Sequence, residues 1–263
     1  MDYEGIVYRP PSEARSLIIQ VTIGCAHNTC GFCNMYKEKK FRIRSLAEIL
    51  ADLTEVSHNP YAPYIEKVFL ADGDALVMKT EDLLVILDAI HRLYPGVKRV
   101  ASYGTAQDIL RKSEEELIRL REAGLGIVYV GAESGDNEIL KYINKGVTAE
   151  QTIEAGQKLK RCGIATSVTL ISGLGGRSKV EEHALSCAKL ITAMTPEYAS
   201  FLTLRLYEGT PMYADVVEGR FQRITLDEIV DEMEIFLKNV DSPGTVFRTN
   251  HASNYVILAG TLN

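Results

Sequence analysis

Apolar, β-branched runs alternate with amphipathic runs from one end of the chain to the other. SLIIQVTI (16–23) predicts a strand that leads into a cysteine-bearing loop. SLAEILADLTEV (45–56) has helical periodicity and opens with a capping box, Ser45 with Glu48. A strand and its exit loop are predicted over 66–74, and a helix over 80–94 that Pro95 and Gly96 stop. A third strand follows at 98–104, a capped helix with a glycine stop at 113–124, and a fourth strand at 125–135. Helices are predicted at 136–144 and 149–162, then a fifth strand with a glycine-rich exit at 164–176. A helix (179–194), a sixth strand (197–207) and a last helix (226–240) complete the periodic part. The final stretch, 246–260, is polar and apolar by turns and reads as irregular or edge structure.

Six strands alternating with helices imply parallel strands joined by right-handed crossovers. The runs over 127–130 and 165–171 are nearly continuous in apolar character, as a sheet covered on both faces requires. Two architectures fit: a doubly wound open sheet, or a barrel of the (β/α) type. In both, chemistry sits at the C-terminal ends of the strands. The unusual residues fall there: the cysteine loop after strand one, Asp72-Gly73-Asp74 after strand two, Glu133-Ser134-Gly135 after strand four and the glycine loop after strand five.

The composition, 46% apolar and 24% charged in 263 residues, is that of an ordinary globular protein. Its net charge of −6 argues against a protein built mainly to grip nucleic acid. No signal-peptide pattern and no run long enough to span a bilayer is present, so a cytoplasmic protein without a membrane is expected. There, clustered cysteines point to metal or catalysis rather than disulfides.

Cys25, Cys30 and Cys33, spaced C-x4-C-x2-C, are three of five cysteines in the chain. Thiolates favour zinc, copper(I) and iron–sulfur clusters. Cys162 and Cys187 read as buried core residues. His27 could complete a Cys3His zinc site that staples an α/β binding protein. An iron–sulfur electron carrier is another possibility. A 4Fe–4S cluster held by three cysteines, with one iron open, is the third.

The third reading is where a family resemblance begins. Cys30-Gly31-Phe32-Cys33 resembles the second half of the radical S-adenosylmethionine (radical SAM) loop, C-x3-C-x-aromatic-C, with a first gap one residue longer. DGD (72–74) stands where that family has a GGE-like motif. YVGAESGDNEILKYINKGVT (129–148), ISGLGG (171–176) and EGTPMY (208–213) resemble segments of its Elp3/MiaB/NifB-like branch.

The resemblance implies an α/β partial (β/α)6 TIM-like barrel over 1–215, with a C-terminal helix and extension over 216–263 closing the barrel side. It implies an oxygen-sensitive enzyme with two cofactors, a 4Fe–4S cluster and S-adenosylmethionine. One electron would cleave the latter to a 5′-deoxyadenosyl radical that abstracts hydrogen from a substrate. The metal ligands would be Cys25, Cys30 and Cys33. Asp74 would accept from the amino group of S-adenosylmethionine, with Gly73 allowing close approach and Asp72 sharing that work or capping the loop. Glu133 would bind the ribose, the alternative being an ion pair with Lys145 or Arg205. Ser102 and Ser167 would bind ribose or carboxylate, and Phe32 and Gly173 would flank the adenine. Arg205, set in the apolar FLTLRLY, would be a buried guanidinium in need of an anion. Tyr103 and His251 are the candidates for proton or hydrogen transfer. The partners implied are a small-molecule or peptide substrate and a reductant such as flavodoxin or ferredoxin.

Overall fold

A computed structural model describes residues 1–263. The chain divides into two compact units: Met1–Asn28, Met35–Tyr129 and Lys158–Ala165 form the first; Thr29–Asn34, Val130–Gln157 and Thr166–Asn263 form the second.

In the first unit, strands β1 (Leu17–Gln20), β4 (Lys67–Ala71), β5 (Arg99–Tyr103) and the start of β6 (Leu125–Glu133) lie side by side and parallel. Alternation puts Ile18, Phe69, Ala71, Ala101, Ile127 and Tyr129 into one apolar cluster. The alternate residues Ile19, Val68, Leu70, Val100 and Val128 are buried as well. Both faces are therefore covered, which explains the unbroken apolar runs. Helices α1 (Leu46–Ser57), α2 (Thr80–Leu93), α3 (Ala106–Arg111) and α4 (Glu114–Glu122) supply the crossovers. The capping box expected at Ser45 and Glu48 forms, and a second joins Ser113 to Glu116.

Two short strands escape the sequence pattern. β2 (Thr22–Ile23) and β3 (Arg42–Ile43) pair antiparallel, Thr22 opposite Ile43. Two residues each are too few for a period to register, yet this ladder brackets the segment that carries all three clustered cysteines.

In the second unit, β7 (Ala165–Ser172) and β8 (Tyr198–Thr203) are parallel, β9 (Val246–Arg248) adds parallel to β8, and β10 (Ala259–Thr261) closes the edge antiparallel to β9. The edge character read for 246–260 holds. Helices α5 (Asn137–Tyr142), α6 (Ala149–Arg161), α7 (Val180–Met194), α8 (Pro211–Val217) and α9 (Leu226–Asn239) complete the set. Val168, Leu170 and Phe201 pack with Cys187 and Ile191 of α7 and with Met233 and Phe236 of α9. The Phe201 and Phe236 rings meet edge to face at 4.9 Å. Burying such a ring contributes about 1.5–3 kcal/mol.

β8 stops at Thr203, short of the strand expected over 197–207. Leu204 N still reaches Ser172 O at 2.9 Å, and the chain then leaves the sheet. No helix is long and apolar enough to cross a membrane.

Candidate active site

The segment after β4 is built onto the first cysteine. Asp72 is fully buried, and its Oδ2 accepts from Gln20 Nε2 at 3.1 Å, Gly24 N at 3.0 Å and Lys39 Nζ at 2.7 Å. Asp72 N bonds Thr22 O at 3.2 Å, and Gly73 N bonds Gly24 O at 3.0 Å. A Cβ on Gly73 would meet Cys25 Cβ at 3.0 Å and Gly24 O at 3.1 Å, so only glycine fits there without displacing the cysteine. Capping, one of the two roles considered for Asp72, is met by these bonds to Oδ2, while its buried Oδ1 has no partner. Lys39, with a side chain 9% exposed, is its counter-charge. Nothing in the periodicity marks that lysine, because its partner lies 33 positions away.

The other two cysteines sit on a tight turn, Cys33 N to Cys30 O at 3.3 Å. Its Gly31 is held from both sides: Gly31 N donates to Ile143 O at 2.7 Å, and Met212 N donates to Gly31 O at 3.1 Å. Ile143 is the C-cap of α5, and Asn144 and Gly146 follow with φ of 53° and 78°. Met212 lies in the first turn of α8, where Thr210 caps Tyr213 N and Pro211 occupies the start. The INKG and GTPMY segments thus earn their residues locally, as the two ends that grip the cysteine turn. Phe32, half-buried, packs on the apolar core of its own unit.

Cys25, Cys30 and Cys33 are half-buried thiols outside any disulfide, while Cys162 and Cys187 are buried as expected. No three His, Cys, Asp or Glu side chains converge closely enough to hold a single metal ion. Three cysteines within one short segment, once deprotonated, would suit an iron–sulfur cluster, whose own sulfides separate its ligands.

Asp74 is fully buried. Its Oδ1 accepts from Leu76 N at 3.1 Å and its Oδ2 has no partner. Burial and the neighbouring Asp108 push its carboxyl well above the usual range. Ser102 is fully buried too, and its Oγ also lacks a partner. It alternates with Tyr103, so the two leave β5 on opposite faces. Tyr103 ends β5, and its carbonyl accepts from Ala75 N at 3.3 Å.

Glu133, the last residue of β6, has φ of 65° and pairs with Lys145 at 2.9 Å. A Cβ on Gly131 would lie 2.3 Å from Glu133 Oε1 and 3.3 Å from Lys145 Nζ, so the glycine makes room for the pair. Lys145, rather than Arg205, is the partner. Arg205 itself corrects an expectation: it is exposed, past the end of β8, and donates to Ala252 O at 2.9 Å. Because the strand ends early, its guanidinium meets solvent and needs no buried anion.

Ser167 is the third residue of β7, at the strand's N-terminal end, and so does not stand at the exit expected for it. Ser172 does. Its hydroxyl donates to Glu232, which also accepts from Gly173 N at 3.0 Å and pairs with His183 Nδ1 at 2.6 Å. His183 and Glu232 are both buried; burial alone would lower the imidazole pKa, but Cys187 and Glu232 outweigh it and raise it well above 6.5. The only sequence signal for this network is a histidine on the apolar face of α7. Gly173, with φ of 82°, turns the chain out of the strand. Ser172 and Gly173 line a cavity of about 230 Å³ together with Thr203, Arg223, Ile224 and Tyr255.

The polar tail packs on the same strand end: Thr203 N donates to Asn254 Oδ1 at 2.7 Å, and Asn254 Nδ2 donates to Phe201 O at 2.7 Å. His251, half-buried, shares a hydrogen bond with Ser253 at 2.8 Å, and burial lowers its pKa.

A family model described as the radical SAM superfamily matches residues 19–188. The chain is 24% identical over 202 residues to an uncharacterised methyltransferase of Pyrococcus horikoshii, covering 74% of this chain and 41% of that one. It is 30% identical over 121 residues to the tRNA uridine(34) acetyltransferase of Methanocaldococcus infernus, covering 45% and 22%. Among solved structures, the radical SAM methyltransferase TsrM of Kitasatospora setae superposes with a TM-score of 0.62 at 22% identity, covering 78% and 39%. The chain spans less than half the length of each of these relatives. The likeness to TsrM shows the fold, an α/β partial barrel with a mostly parallel sheet. Because the family match takes in well over half of the chain, and within it the cysteine loop, DGD and the exits of β6 and β7, the chain belongs to the radical SAM superfamily.

Proposed function

We propose that Cys25, Cys30 and Cys33 hold the cluster through three thiolates, leaving one iron for S-adenosylmethionine, and that the enzyme abstracts hydrogen from a small-molecule or peptide substrate. Once bound, the two cofactors together supply a carbon-centred radical strong enough to take a hydrogen atom from an unactivated position.

The chain's own residues position and shield. Asp72 and Lys39 tie Gly24 down, which sets the backbone that carries Cys25. Gly73 keeps the space beside Cys25 clear. Asp74 brings a buried, unpartnered oxygen that would accept from an ammonium group, and a bound cation would draw its proton off. Glu133 offers a carboxylate at the exit of β6, already oriented by Lys145 through one oxygen. Gly173, held by Glu232, and Phe32 would border the adenine, and the tail around His251 would border the substrate.

The observation that carries this reading is the employment of the motif residues. DGD is built around Cys25, and INKG and GTPMY around the Cys30–Cys33 turn. A protein that merely carried electrons would need the cysteines but not Asp74 or Glu133 at strand exits.

The test is anaerobic reconstitution followed by iron and sulfide analysis and assay of 5′-deoxyadenosine with dithionite. Cys30→Ala should lose both cluster and cleavage; full cluster content with turnover in that variant would sink the ligand assignment. A screen of deuterated metabolites and peptides, read as label in 5′-deoxyadenosine, would name the substrate.

The negative net charge does not exclude RNA, since one relative is by name a tRNA uridine(34) acetyltransferase. A small substrate is favoured here by the cavity at the exit of β7.

A further inference from the structure

Tyr103, at the end of β5, faces Tyr129 of β6 across the ladder. Their rings meet at 6.2 Å between centroids, and each is also edge-on to Phe69, at 5.1 and 6.1 Å. The Tyr129 hydroxyl donates to Glu13 Oε1 at 2.5 Å and lies 2.8 Å from Ser12 Oγ. Glu13 is itself fully buried and is anchored by the Arg99 guanidinium.

Packing does not call for this arrangement. Phenylalanine at 129 would fill the same space without requiring a buried carboxylate, and burying a carboxylate is expensive. What a carboxylate aimed at a phenol does provide is a destination for the proton when the phenol loses an electron. The Tyr103 backbone lies beside the segment built on Cys25, because Ala75 N bonds the Tyr103 carbonyl two residues beyond Gly73.

We infer that Tyr103, Tyr129 and Glu13 form a one-electron relay that draws a stray radical away from the exit of β5 when it fails to meet substrate. The inference rests on the radical-enzyme reading above. The oxidant is a carbon-centred radical. It takes the hydroxyl hydrogen of Tyr103: a C–H bond forms, an O–H bond breaks, and Tyr103 becomes a neutral phenoxyl radical. One electron then passes from Tyr129 to Tyr103 while the Tyr129 proton moves to Glu13. The resulting Tyr103 phenolate takes a proton from water. Burial raises the Tyr103 pKa strongly, so that phenolate is readily reprotonated. The radical ends on Tyr129, one strand further along the sheet from the Cys25 segment than Tyr103, where an external reductant can quench it.

The test places 3-aminotyrosine, an easily oxidised radical trap, at position 129. In cluster-free protein the oxidant is a flash-excited ruthenium polypyridyl with persulfate; in reconstituted enzyme, S-adenosylmethionine and dithionite start the reaction. The trap's paramagnetic signal is expected in both and should be lost with Tyr103→Phe, which keeps the ring packing. In otherwise natural protein, Glu13→Gln should lower the tyrosyl signal at least about tenfold and flatten its pH dependence, which an anchoring carboxylate alone would not do. A signal indifferent to Tyr103→Phe, or none while 5′-deoxyadenosine forms, overturns the relay. A Tyr103-dependent flash signal without any 5′-deoxyadenosine would instead uphold the relay and overturn the cofactor reading.

Discussion

Single side chains around Cys25 carry the sharpest expectations. Gly73→Ala forces a methyl group against Cys25 Cβ, so the fold should persist while iron incorporation falls; iron per chain after reconstitution, with circular dichroism as control, checks this. Asp72→Asn leaves Lys39 without its counter-charge in a buried setting and should cost about 3 kcal/mol, measured by denaturant unfolding of the cluster-free protein. Asp74→Asn should act in opposite directions on stability and binding. The folded-state pKa of Asp74 is raised by burial and by Asp108, so the folded protein holds the proton more tightly than the unfolded chain. Its contribution therefore becomes unfavourable as pH rises from about 3.8 toward the raised value. The amide removes that penalty, so the variant should unfold at higher denaturant at pH 7 yet bind S-adenosylmethionine more weakly by calorimetry. A less stable variant with unchanged affinity would refute both parts.

Among elements, β7 and the helices behind it make a pH-dependent unit. His183 of α7 and Glu232 of α9 meet behind Ser172, the last residue of β7. The imidazole pKa is raised above 6.5, so its stabilisation is complete below that value and is lost as pH rises through the folded-state value. Urea midpoints measured from pH 6 to 9 should fall for the natural protein, and His183→Gln should flatten the slope. An unchanged slope would mean the histidine is neutral in the fold. The short helices α3 and α8 belong to this scale as well. Six and seven residues give too few turns for a period, though Thr105 and Thr210 mark their starts as caps.

For the molecule as a whole, charge and substrate are the open pairing. With a net charge of −6, tRNA should bind only weakly and non-specifically, with affinity collapsing between low and physiological salt in filter binding. Tight, salt-resistant binding would move the substrate class from small molecule to RNA. At this scale the order of strands and helices was legible, because a covered parallel strand and an amphipathic crossover helix each write a local period. The early end of β8 was not, because FLTLRLY stays apolar beyond the last ladder bond and only the partner strand decides where pairing stops.

The amino-acid sequence by itself determined the longer strands and helices, the caps at Ser45 and Ser113, the cysteine loop and the family it resembles. All of these rest on neighbours within a few residues, where composition and spacing act directly. Only the tertiary structure decided that Asp72 holds Gly24 with Lys39, that Glu133 pairs with Lys145 rather than Arg205, that Ser172 and not Ser167 stands at the exit of β7, and that Glu13 reaches Tyr129. Each joins groups far apart in the chain, and the energy of burying a charge or a polar group depends on what surrounds it, which no local pattern records.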